Sequence, residues 1–188
     1  EIPMIDGTTT PAKPVVFVDA HTGEVLFQYD NLQTGAASGT GTAYYSGAVS
    51  FNSYLSSSSY YLEDSVRKLG TYSYKNTTTS LYYNTDSDNA WTASTQYVAV
   101  QAHYSAIKVW DFYSTVMGRN GIDGAGGPGY VSSLTGSGSV ITSAVSYSTN
   151  YDNAFWDGQS MTYGDGDGSS FLPLVTVDIA GHEMTHGV

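Results

Sequence analysis

Between Ser94 and Met117 the chain carries no glycine and no proline, although its 188 residues include 21 Gly and 5 Pro. Within that window Val98, Ala102, Ala106, Val109, Tyr113 and Val116 recur at helical spacing. Ser94 or Thr95 can cap the start and Gly118 the end, so the spacing predicts one long helix. The flanking sequence reads differently. Short runs (Ala48-Val49-Ser50-Phe51, Tyr60-Tyr61-Leu62, Thr71-Tyr72-Ser73-Tyr74, Leu81-Tyr82-Tyr83) alternate with Ser, Asn and Gly, as strands and turns do. Further strands are predicted around Val140–Tyr147 and Ser160–Tyr163, and a second helix from near Pro173 onward. The fold class expected is α+β: a twisted, mainly antiparallel β region with one long helix and the start of a second.

Composition narrows the function classes. Six Lys+Arg against 17 Asp+Glu give a net charge of −11. Phosphate affinity needs Lys and Arg, so nucleic acid is a poor partner. The polybasic clusters that hold proteins to anionic membranes are missing, and no apolar run is long enough for a membrane span. There are no cysteines, which removes disulfide frameworks, Cys-based zinc sites and thiol nucleophiles together. A surface built from Ser, Thr, Tyr, Asn and Gly suggests a secreted protein. Seventeen Tyr argue for a packed chain rather than a disordered one.

The first residues form their own pattern. Val15–Val18 and Val25–Tyr29 are β-branched and aromatic runs around His21-Thr22-Gly23, a turn in which Gly23 can take a positive φ. Thr34–Gly41 is small and polar and reads as an exposed linker. A boundary is expected there, dividing 1–34 from 35–188.

His182-Glu183-Met184-Thr185-His186 carries the chemistry. On a helix, residues four apart share a face, so both imidazoles can reach one ion. Neutral imidazole suits Zn²⁺, which lowers the pKa of a bound water to about 7. Glu183 stands beside the first imidazole, placed to take a proton from water attacking a carbonyl. Catalytic zinc takes three protein ligands. His21 lies in a turn and His103 inside the long helix, so the third ligand is expected beyond Val188, and the chain reads as a fragment.

Three segments taken together resemble the thermolysin family of zinc metallopeptidases: Asn153-Ala154-Phe155-Trp156, then Met161-Thr162-Tyr163-Gly164-Asp165-Gly166-Asp167-Gly168, then Asp178-Ile179-Ala180-Gly181-His182-Glu183-Met184-Thr185-His186. Weaker similarity runs back to about Gly39, through Tyr61-Leu62-Glu63-Asp64 and Ala102-His103-Tyr104. The resemblance implies a zinc endopeptidase with His182 and His186 as zinc ligands and Glu183 as general base. It implies that residues 35–188 are the N-terminal subdomain of the peptidase, truncated after the zinc motif. The missing C-terminal half would then bring the third zinc ligand. Residues 1–34 resemble the closing hairpin of the family's propeptide, so the protein would be a secreted zymogen matured between Asn31 and Thr42.

Further roles follow from the same resemblance. Asn153, with the backbone of Ala154 and Trp156, matches the edge strand that pairs with a peptide substrate. Phe171, Leu174 and Ile179 match positions around the S1′ pocket, which implies large hydrophobic P1′ residues; from the residues alone these three are core positions. Asp178 matches a calcium ligand. Asp86 and Asp88 resemble a second calcium loop, with Ala90 where the family has an amide side chain. The D-G-D spacing of Asp165 and Asp167 lacks the acidic residue that closes an EF-hand loop, and reads as a structural turn. The competing reading is a non-catalytic secreted β module that binds calcium or polysaccharide.

Overall fold

The computed structural model describes residues 14–30, 34–127, 131–132 and 138–188. Its contacts divide the chain into Glu1–Thr34 and Gly35–Val188. In the first unit β1 (Pro14–Val18) and β2 (Val25–Asp30) form an antiparallel hairpin with Phe17 opposite Phe27. Asp19 shapes its turn: Oδ1 accepts from the amides of His21 and Thr22 at 2.7 and 2.9 Å. Those bonds hold the Asp19 carboxyl below the usual range. Gly23 sits at φ +73°, as the turn requires.

The second unit holds the remaining elements. Its strands are β3 (Thr34–Ala43, whose first residue lies on the unit boundary), β4 (Gly47–Ser56), β5 (Ser59–Tyr61), β6 (Glu63–Asp64), β7 (Leu69–Ser73), β8 (Tyr82–Tyr83), β9 (Thr85–Asp86) and β10 (Ala90–Trp91). A 3₁₀ turn at Ser94–Gln96 leads into helix α1 (Tyr97–Thr115). Then come β11 (Val131–Ser132), β12 (Ser139–Val145), β13 (Ala154–Trp156), β14 (Ser160–Tyr163) and helix α2 (Val177–His186). One sheet runs β10-β3-β4-β5-β9; the other runs β13-β14-β12-β7-β6, with β11 on β12 and β8 on β7. Most ladders are antiparallel, as expected. Parallel pairing appears where β12 meets β7 and β14, and where β10 meets β3.

Helix α1 matches the glycine-free window to within a few residues at each end. It packs on β7, β12 and α2. Its first three turns are buried almost all round, including the polar Gln101, His103 and Ser105. Each of these polar groups is bonded. The Gln101 carboxamide accepts from the amides of Tyr45 and Ser46 and donates to Ser105 Oγ. Ser105 Oγ donates to the Val175 carbonyl at 2.8 Å. His103 Nε2 lies 2.9 Å from the Asn52 carbonyl, which only accepts, so Nε2 carries the proton and Nδ1 accepts from Thr71 Oγ1 at 3.0 Å. Burial lowers the His103 pKa, so this histidine is a neutral core residue with both nitrogens occupied.

The stretch read as a linker is in fact strand. β3 pairs in parallel with β10, Thr40 opposite Ala90 and Gly41 opposite Trp91. Its small residues permit close approach rather than flexibility. A Cβ on Gly41 would stand 2.9 Å from Trp91 Cβ, and one on Gly39 would stand 3.2 Å from the Phe51 ring. Glycine in this strand lets the backbone lie directly against the Phe51 ring and the Cβ and carbonyl of Trp91.

Candidate metal centre

Helix α2 starts at Thr176 in extended conformation, with Asp178 in the first turn and His186 in the last. This charge order suits the helix dipole. Ala180, Glu183 and Met184 face inward, toward α1, β13 and β14. Gly181 faces Val109 of α1, where a Cβ would make ordinary contact with Val109 Cγ2 at 3.7 Å. Tyr113 of α1 and Thr185 of α2 share a hydroxyl–hydroxyl bond of 2.7 Å, a tie across the helices that helical spacing alone did not suggest.

His182 and His186 are exposed on the same side of the helix. Their Nε2 atoms are 3.0 Å apart and their rings stand nearly perpendicular, at 83°. Two imidazoles on one tetrahedral zinc, with bonds of about 2.0–2.1 Å, hold their nitrogens about 3.3 Å apart. The observed pair is therefore close to the spacing that a metal requires. Ligand atoms of His182, Glu183 and His186 all lie within 4.8 Å of one another, and Glu183 is only 5 % exposed. The chemistry of this group, two imidazole nitrogens with a sheltered carboxylate beside them, fits zinc.

Beside the histidines lies a cleft of about 370 Å³ lined by Asn153, Ala154, Leu174, Asp178, Ile179, His182 and Glu183. Four of the residues implied for substrate thus meet the metal motif in one place. Phe171 is not among the lining residues. It is half exposed, and its amide is held at 3.0 Å by Asp167 Oδ1, which also accepts from Ser169 and Ser170. Asp167 is the turn residue that the sequence suggested. Trp156 lies against Gly187, just past His186, where an added Cβ would be 3.0 Å from the indole. Among the described residues strand β13 ends its sheet, with one backbone edge unpaired, beside this cleft.

Asp178 is exposed, and its hydrogen bond with Thr176 holds its carboxyl below the usual range. Asp86 and Asp88 stand apart from the histidine group among the described residues. Asp86 accepts from the Asp88 amide and from Gln96 Nε2, both at 2.9 Å, and Asp88 accepts from the Ala90 amide at 2.9 Å. Slight burial opposes ionisation of Asp86, but the Gln96 and backbone bonds prevail and lower its pKa. Gln96, six residues after Ala90, donates to Asp86 through Nε2, and its Oε1 accepts from the Ala93 amide at 3.1 Å. Asp165 differs from Asp167. It is half buried, its Oδ1 has no partner, and desolvation raises its pKa.

The family model for the thermolysin metallopeptidase catalytic domain matches residues 38–188. Bacillolysin from Brevibacillus brevis is 41 % identical over 182 residues, which cover 95 % of this chain and 31 % of the bacillolysin. The transglutaminase-activating metalloprotease of Streptomyces mobaraensis is 40 % identical over 188 residues, covering 95 % of this chain and 22 % of that protein. Among solved structures, the precursor of protealysin, a metalloproteinase from Serratia proteamaculans, aligns with a TM-score of 0.50 and 29 % identity, over 64 % of this chain and 34 % of that one. The chain spans about a third or less of the length of these relatives. On the residues matched and the centre that they build, the chain belongs to the thermolysin family of metallopeptidases.

Proposed function

We propose that this chain provides the zinc-binding motif, the general base and one wall of the substrate cleft of a secreted zinc-dependent endopeptidase. The observation that carries the proposal is the grouping of His182, Glu183 and His186 within 4.8 Å, beside a cleft bounded by an open sheet edge. His182 and His186 are the zinc ligands. A catalytic site takes three, and the third comes from polypeptide that the longer relatives possess outside the matched span. When bound, zinc supplies Lewis-acid polarisation of the scissile carbonyl. Glu183 accepts a proton from the attacking water and can return it to the departing amine. The open edge of β13, at Asn153, Ala154 and Trp156, hydrogen-bonds an extended peptide irrespective of its sequence. Leu174 and Ile179 offer an apolar wall that favours a large hydrophobic P1′ side chain. Asp178, and the loop of Asp86 and Asp88, are the calcium ligands of this reading; oxygen donors suit that hard cation. Removing the metal with a chelator is expected to abolish peptide hydrolysis by the assembled peptidase, and stoichiometric zinc to restore it. Hydrolysis that persists in metal-free protein would sink the proposal.

The hairpin unit is, on the same reading, the end of a propeptide. Cleavage is expected between Asn31 and Ser38. That is the amino-terminal part of the span expected from sequence, because from Gly39 onward β3 lies against Asn89, Phe51 and Trp91 and resists extension into a protease cleft. N-terminal sequencing of the mature protein decides this. A terminus at Glu1 would show that the hairpin is retained and is not a propeptide.

A further inference from the structure

We infer that Tyr147 is a positioning residue for peptide binding, acting through an aromatic cluster that braces the outer face of β13. The inference rests on the reading of β13 as the substrate edge. Side chains alternate along a strand. Ala154 lines the cleft beside Glu183 and Trp156 lies on Gly187, so Phe155 between them points to the opposite face. There it meets Tyr147 at 5.3 Å between ring centroids and Tyr151 at 6.1 Å. Tyr147 also meets Tyr74 and Tyr151, each at 5.1 Å. All four contacts are edge-to-face, with interplanar angles of 72–85°, the arrangement in which ring quadrupoles attract. Tyr147 is the hub, joined to each of the other three.

The strand needs such a brace. β13 has three residues and, among the described residues, one paired neighbour. The connection that delivers it holds Ser146, Ser148 and Asn150 at φ +53°, +58° and +51°. Left-handed backbone at non-glycine residues costs energy and persists only where its surroundings hold it. Two rings of the cluster, Tyr147 and Tyr151, come from that connection. Backbone bonds complete the hold: the Tyr147 amide donates to the Tyr163 carbonyl at 3.0 Å, and the Gly166 amide to the Tyr151 carbonyl at 3.2 Å. A peptide that adds to a rigid edge does not have to order the strand as it binds, and that saving appears as affinity. The cluster touches neither the histidines nor Glu183, so it should act on binding and leave the chemical step alone.

The test compares steady-state kinetics and zinc content in the zinc-loaded peptidase. Tyr147→Leu is expected to raise KM for an extended peptide about tenfold, with kcat within about twofold and zinc unchanged; Tyr147→Phe, which keeps the ring, should restore the parental KM. A role in folding alone would lower stability without this split between KM and kcat. An unchanged KM in Tyr147→Leu, with hydrolysis intact, overturns the inference and leaves the peptidase reading standing. If Tyr147→Leu does not yield folded protein, Phe155→Leu must show the same rise in KM, and failure to do so overturns the inference equally. If the Glu183→Gln protein with Tyr147 intact binds no peptide by calorimetry, both readings are overturned.

Discussion

Glu183→Gln in the zinc-loaded peptidase is expected to lower turnover by about 10²–10⁴-fold while zinc content stays at the parental level. The amide is nearly isosteric with the carboxylate, and the side chain is almost wholly sheltered on the inner side of α2, so packing should survive. What changes is proton affinity: a carboxamide cannot take the proton from the attacking water. His182→Ala separates the two roles. It removes one nitrogen of the 3.0 Å pair, so zinc content should fall with activity, and any stability that depends on the metal goes with it. Zinc analysis and peptide turnover on both variants check the assignment. Near-parental turnover by Glu183→Gln with zinc bound would remove Glu183 from the chemistry.

Much of this centre was legible because helical geometry is local. Two histidines four residues apart need only a helix to become neighbours, and the segment's apolar side, Val175, Ile179 and Met184, supplied reason to expect one. Helix α1 was legible for a similar reason: a window without Gly or Pro leaves the backbone few alternatives. Long-range pairing was not legible. Thr34–Gly41 looks like a linker because glycine in isolation signals freedom; only Trp91 and the Phe51 ring, some 10 to 50 residues away, turn it into strand. Asn89 is a second case, because its role rests on partners distant in sequence. At φ +64° its side chain accepts from Trp91 Nε1 and Ser53 Oγ and donates to the Ser38 carbonyl, joining three segments. Leu174 and Phe171 looked alike as apolar candidates for one pocket. The turn at Asp167 keeps Phe171 out of the cleft lining while Leu174 remains in it, and a turn's direction is not encoded in hydrophobicity.

The same pairing makes Trp91→Ala the most destabilising core change expected, at about 3–5 kcal/mol. The indole is fully buried. It meets Phe51 at 6.4 Å in an edge-on arrangement, while the Cβ and carbonyl of the same residue lie against Gly41. Truncation leaves a cavity beside the Phe51 ring. It also removes the donor at Asn89 Oδ1, whose 3.0 Å bond helps to hold a left-handed residue in place. Trp91→Phe keeps most of the packing and should cost less than half as much. The damage should spread toward the centre, because β10 runs almost directly into the 3₁₀ turn and α1, and α1 carries Tyr113, which ties down Thr185 of α2. A loss of this size is a large fraction of the roughly 5–15 kcal/mol that holds a domain together. Urea unfolding followed by circular dichroism measures it, with an unchanged slope showing that stability rather than compactness has altered. A cost below about 1 kcal/mol would mean that β3 is not anchored on Trp91.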